Sequence, residues 1–282
     1  MLSDAFLARL DTLFLAVRGR AAGGAGGTRR SRQTGSSAEF SDYREYIPGD
    51  DIRRIDWNAL ARFDKLFLKL FMEEQESAVT VLLDGSASMA EKWDAAKQAA
   101  EALGYLALTG GDRLRVFVLQ EAGNRESPHM AGRPAYARLE QFLSACAPAG
   151  GGTLTDRILR VEGLRKGLCF LISDCYEEGG IGQALDYLRY RGQECAVVQT
   201  LSSLELSPSM DGALKLTDAE TGASVNLLAD RGAMENYRNA LAVFLREIRE
   251  TCFRREVPCC LLDAGKNFEE EWIPLLSRSG MI

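Results

Sequence analysis

The chain has 282 residues, 46% of them hydrophobic and 26% charged, the balance of a soluble globular protein large enough to bury a substantial core. A formal net charge of −6 argues against a general nucleic-acid binder, which needs a basic footprint to meet phosphates. No apolar run approaches the roughly 18 residues of a membrane span. Seven cysteines with no C-x-x-C spacing read as buried, reduced thiols rather than zinc ligands or a disulfide framework.

The first stretch, "MLSDAFLARLDTLFLAVRGR", reads as an amphipathic helix over 1–18, with Leu7, Leu10, Leu13, Phe14 and Val17 on one face. An acid at position 4 and spread arginines make it unlike a secretory signal, so a cytoplasmic protein is expected. A Gly, Ser and Arg stretch follows and reads as a loop. From Glu39 to Glu76 the chain is dense in charges and aromatics. Pro48-Gly49 signals a turn, Asp50 or Asp51 caps a short helix through Trp57, and "KLFLKLF" alternates like a strand. Trp57 is the expected apolar anchor of this segment, with Arg53 and Arg54 pairing nearby acids. Residues 1–76 thus form an N-terminal helix, a loop and a docking segment ahead of a domain over 77–282.

After residue 77 the pattern becomes regular. Strand-like runs fall at 78–83, 113–119, 168–173, 195–201 and 257–262. Helical patterns lie between, at about 91–108, 135–146, 155–165, 180–191 and 230–254. That alternation predicts an α/β fold, a doubly wound, mostly parallel sheet of five or six strands with helices on both faces. Residues 212–228 break the rhythm and read as a β-hairpin insertion around Glu220-Thr221-Gly222.

Ligands of such a sheet collect at the carboxyl ends of its strands. The 78–83 run leads into Asp84-Gly85-Ser86-Ala87-Ser88, and the 168–173 run passes through Ser173 into Asp174. "PAGGGTLTDRIL" carries a glycine-rich loop into Thr153 and Thr155 at a helix start. These segments meet at one sheet edge with two carboxylates, several hydroxyls and no soft ligand. The donor set suits a hard divalent cation, Mg²⁺ first, with Mn²⁺ or Ca²⁺ as competitors. The bland alternative is that Ser86 or Ser88 simply caps the next helix.

"LLDGSASM … GGT … LISD" resembles the metal-ion-dependent adhesion site (MIDAS) of von Willebrand factor A domains. The stretch "GSSAEFSDYREYIPGDDIRRIDWNALARFDKLFLKLFMEEQE" resembles bacterial domain-of-unknown-function family 58 (DUF58), in which it precedes an A-type domain. The resemblance implies that Asp84, Ser86 and Ser88 form the first metal loop, Thr153 the second, with Thr155 competing, and Asp174 the third. It also implies association with a MoxR-type AAA+ ATPase or its client, as an adaptor or assembly factor.

Other classes fit less well. A metal-dependent phosphoryl-transfer or hydrolytic enzyme would use Asp84, but a phosphotransferase usually places a second carboxylate two residues on, where this chain has Ser86. His129 is the sole histidine, and neither G-x-S-x-G nor a P-loop occurs. A nucleic-acid adaptor working through the arginine loop is opposed by the interleaved acids. The expected function is a non-enzymatic, metal-dependent protein-interaction module that binds an acidic residue of a protein partner through the cation. Oligomeric state is left open.

Overall fold

The computed structural model describes residues 2–13, 15, 40–47, 50, 52, 55–63, 65–71, 78–208, 212–220 and 222–282. The chain divides into two compact units, Met1–Gly24 with Ser77–Ile282, and Ala25–Glu76. The opening helix α1 (Asp4–Leu10) therefore belongs to the larger unit. Ser3 caps it by accepting from Phe6 N at 3.2 Å. Its buried face is Leu2, Phe6 and Leu10, and Leu7 is only partly buried. The helix is shorter than the periodicity suggests, because Asp11 closes its last turn and accepts the Tyr105 hydroxyl at 2.6 Å. Phe14 and Val17 lie outside the described residues.

In the smaller unit, β1 (Phe40–Glu45) runs antiparallel to β2 (Phe67–Phe71), with Tyr43 opposite Lys69 and a register shift between Phe40 and Asp42. Between them, α2 (Trp57–Phe63) begins where the sequence suggested a helix would end. Its cap is Asp56, whose Oδ1 accepts from Asn58 N at 2.9 Å and Ala59 N at 3.3 Å. Asp50 instead closes the preceding turn, accepting from Ile47 N and from Arg44. Asp51, Arg53 and Arg54 lie outside the described residues. Trp57 is not a buried anchor: it is 63% exposed. Trp57→Ala is accordingly expected to shift stability by no more than about 0.5 kcal/mol in chemical denaturation, the range of surface substitutions.

The larger unit runs β3 (Ala78–Asp84), a 3₁₀ turn (Ala87–Lys92), α3 (Trp93–Thr109), β4 (Arg113–Leu119), β5 (Arg125–Glu126), β6 (Met130–Ala131) and α4 (Tyr136–Ser144). It continues with α5 (Leu154–Leu159), β7 (Gly167–Ser173), α6 (Gly182–Tyr190), β8 (Gln193–Leu201) and α7 (Ser203–Leu206). The hairpin β9 (Gly212–Thr217) and β10 (Ser224–Ala229) precedes α8 (Arg231–Phe253), β11 (Cys259–Asp263) and α9 (Phe268–Ser279). Strands β11, β8, β7, β3 and β4 lie side by side in that order, all parallel, and β5 and β6 add short antiparallel pairings to β4. This is the mixed α/β fold with a mostly parallel sheet that the alternating pattern predicts. The hairpin stands apart as its own two-stranded sheet.

Strand alternation sorts the core into two layers. Val79, Val81 and Leu83 of β3, with Phe170 and Ile172 of β7, face the layer built by α1, α3, α4 and α9. Leu82, Leu171, Val197 and Phe117 face the opposite layer with Leu154 and Ile158 of α5 and Leu185 of α6. The small residues of α3 (Ala95, Ala96, Ala99, Ala100) let it lie close on the sheet. α9 has no counterpart among the elements read from sequence, since three glutamates and Pro274 obscure its apolar stripe of Phe268, Trp272 and Leu276. α1 and α9 meet directly. Ser3 N and Oγ both donate to Glu269 at 2.7 Å, and Phe6 packs edge-on against Phe268 at 6.0 Å. All seven cysteines are free thiols, six buried and Cys259 half-buried. Among the described residues no helix is long and apolar enough to cross a membrane.

Candidate functional site

The strand order reverses between β3 and β7: one connection from β3 leads outward to β4, while β7 leads the other way to β8 and β11. That reversal opens a crevice at the carboxyl ends of β3 and β7, where an open parallel sheet holds its ligands. Asp84 is the last residue of β3, Ser173 is the last of β7, and Asp174 follows it directly. Two loops are zipped together above them. Ala149 N donates to Gly85 O and Ala87 N to Gly150 O, both at 2.8 Å. Gly85 must be bare for this, since a Cβ there would meet Val118 Cγ1 at 2.7 Å.

Asp84 is 2% exposed. Its Oδ1 accepts from Ser86 N at 3.0 Å and Ser86 Oγ at 2.8 Å, and its Oδ2 accepts from Ser173 Oγ at 2.6 Å. Ser86 stands at the start of the 3₁₀ turn without capping it. The hydroxyl is committed to Asp84 instead, and Ser88 Oγ lies 3.1 Å from it. The helix-cap reading of Ser86 therefore fails. Asp174 lies near enough for the two carboxylates to repel, and Cys175 after it holds φ 62, an uncommon left-handed conformation for a non-glycine residue.

Each carboxylate has a buried cation. Arg157 NH2 sits 3.1 Å from Asp84 Oδ1, with side chains 4% and 2% exposed. Lys92 Nζ donates to Asp174 Oδ2 at 2.9 Å and to Glu205 Oε1 at 2.7 Å. Burial alone would lower the Lys92 ammonium, but Asp174 and Glu205 outweigh it and hold the group above its usual value. Burial raises the Asp174 carboxyl, with Lys92 opposing and Asp84 reinforcing. Lys92 directly precedes α3, where the helix dipole disfavours a positive charge, so the two acids must offset that as well.

The second loop is arranged differently from the first. Thr153 is exposed and caps α5, accepting from Asp156 N at 3.2 Å. Thr155 is buried, and both its N and its Oγ1 donate to Glu177. The structure thus joins Asp84, Ser86 and Ser88 in one hydrogen-bonded group and sets Asp174 beside it. Thr153 is engaged by its own helix. His129 is exposed in its loop.

Sequence reading missed Lys92, Arg157, Glu205 and Glu220. Two of these carry a legible signal. Lys92 falls between Met89 and Trp93 on a buried face, and Arg157 falls between Leu154 and Ile158. A cation at an apolar helical position needs a buried counter-charge.

The fit to a hard cation follows from these contacts. Ser86 and Ser88 offer adjacent hydroxyl oxygens, the donor chemistry Mg²⁺ prefers. Lys92 and Arg157 already balance Asp174 and Asp84, while Glu205 and Glu220 leave the surroundings with excess negative charge. A cation would therefore fit on the hydroxyl side, with Asp84 orienting Ser86, while Asp174 is taken up by Lys92 and Tyr176 N. Among the described residues no three His, Cys, Asp or Glu side chains gather in a metal-holding group, so such a site depends on its hydroxyls.

The chain is similar to Uncharacterized protein Rv1480 of Mycobacterium tuberculosis (strain ATCC 25618 / H37Rv) and Uncharacterized protein Mb1516 of Mycobacterium bovis. Each is 26% identical over 255 residues, spanning 86% of this chain and 80% of the relative. Among solved structures, conserved hypothetical protein BatB from Bacteroides thetaiotaomicron is 16% identical with a TM-score of 0.42, over 72% of this chain and 98% of that one. An aerotolerance-related membrane protein from Bacteroides fragilis NCTC 9343 gives 16% and 0.42, over 73% and 100%. The family described as protein of unknown function DUF58 matches residues 42–247, most of the chain, and the chain belongs to that family.

Proposed function

We propose that the chain is a non-enzymatic protein-interaction module whose binding pole is the crevice at Asp84, Ser86 and Ser88. In this reading it works as a von Willebrand A-like adaptor for a MoxR-type AAA+ ATPase or its client. The observation that carries it is the Ser86–Ser88 hydroxyl pair, turned away from helix capping and toward a charged crevice at the sheet's switch point. Ser86 and Ser88 would hold Mg²⁺, with Mn²⁺ or Ca²⁺ as substitutes. When bound, the cation would supply an electrophilic point for an acidic side chain of the partner. Burial of Asp84 and the engagement of both its oxygens support an orienting role over that of a phosphoryl-accepting nucleophile.

Ser88→Ala is the informative variant, because Asp84→Ala would strand the buried Arg157 and confuse binding with folding. Mg²⁺ at about ten times its dissociation constant should stabilise the wild type by roughly 1.4 kcal/mol, a Tm rise of about 2–5 °C. Ser88→Ala should lose that rise and should no longer capture the ATPase in Mg²⁺. Capture that survives EDTA, together with equal Mg²⁺ shifts in both proteins, would refute the reading.

A further inference from the structure

The hairpin β9–β10 turns over at 218–222. Asp218 Oδ1 accepts from Glu220 N at 2.9 Å, Gly222 N donates to Asp218 O at 3.0 Å, and Gly222 takes φ +71. This turn delivers Glu220 to the loop before α5. A Cβ on Gly151 would lie 2.9 Å from Glu220 Oε2 and 3.0 Å from Glu220 Cβ, and the nearest atoms it would meet all belong to Glu220. Ala87 N donates to Gly150 O at 2.8 Å, which sets Ser88 beside the same loop, and Arg157 NH1 donates to Gly151 O at 3.4 Å. Arg157 Nε is buried and among the described residues has no acceptor, so the crevice has donor capacity left over. Glu220 remains an exposed residue, and its contact is therefore open to displacement.

We propose that the groove between Ser88 and Gly151, with Arg157 as its cation, is a carboxylate-binding site that Glu220 fills in cis and a partner's glutamate fills in trans. The hairpin is then an internal competitor: it holds the groove closed until an acidic segment of the partner replaces it. The trans half rests on the interaction reading above, whereas the cis half stands on the geometry of this chain alone.

Two variants of the full chain separate charge from space. Glu220→Gln removes the carboxylate. Gly151→Ala keeps every charge but places a methyl group where the Glu220 side chain lies. The Gly151 backbone is not left-handed, so alanine is otherwise tolerated there. Hydrogen exchange followed by mass spectrometry should show 212–229 exchanging about threefold faster or more in both variants. The trans probe is a labelled peptide LTDAETGAS, the sequence of 216–224, with LTDAQTGAS as control. Glu220→Gln should bind the glutamate peptide about three- to tenfold more tightly than wild type, as removal of a weak internal competitor predicts. Gly151→Ala should show no such gain, because its methyl group narrows the groove for either ligand. Unchanged exchange in both variants would overturn the cis contact, and equal or absent peptide binding in wild type and Glu220→Gln would overturn the trans site. These outcomes are independent of ATPase capture: loss of capture in Ser88→Ala with an unresponsive hairpin would keep the interaction reading and remove this one.

Discussion

Lys92→Met is expected to cost about 3–5 kcal/mol, because it leaves Asp174 ionised and uncompensated in the protein interior. For a unit of this size that is a fall in Tm of about 6–20 °C by calorimetry. Lys92 is 2% exposed and bridges Asp174 to Glu205, so neither water nor another described cation contact replaces it. Glu205 is more accessible and can rehydrate, but Asp174 is too deep to do so. The double variant Lys92→Met with Asp174→Asn should therefore recover most of the loss. A single variant as stable as wild type would mean that the pair contributes nothing. The pH dependence has a definite sign. Lys92 is raised above its unfolded value of 10.5, so its contribution is present below that pH and is lost as pH climbs through the folded value.

Arg157→Leu should cost a similar amount, about 3–5 kcal/mol, by stranding Asp84. Here the expected response to metal is the more telling measurement. In the wild type the guanidinium already neutralises Asp84, whereas in the variant a divalent cation meets a carboxylate with no competitor. Mg²⁺ should then raise the Tm of Arg157→Leu by more than it raises that of the wild type, since ligand stabilisation grows with affinity. Identical Mg²⁺ shifts would place any bound cation away from Asp84.

The layered α/β architecture was legible because strand and helix periodicities differ, and β3, β4, β7, β8 and β11 are short apolar runs separated by helical ones. Their terminal residues were legible too, which is how Asp84 and Asp174 were found. What a linear reading lacks is the direction in which a polar residue points when its neighbours are apolar. Lys92 and Arg157 look like ordinary solvent-facing charges until Met89, Trp93, Leu154 and Ile158 are seen to share their helical faces. Trp57 shows the opposite error. Its size suggested burial, yet it is 63% exposed, because size alone does not tell which face of a short helix a side chain occupies. Glu220 had no local signal at all, because its contact is with a loop about seventy positions earlier.

The pairing of α1 with α9 has a consequence for biosynthesis. Ser3 and Glu269 are 266 positions apart, so α1 is synthesised long before the α9 part of its packing surface exists, although α3, on which it also packs, is made early. Until then the α9-facing side of α1 is uncovered, and contacts this distant in sequence form late. Packing on α3, its native neighbour, is what shelters that helix before α9 is made.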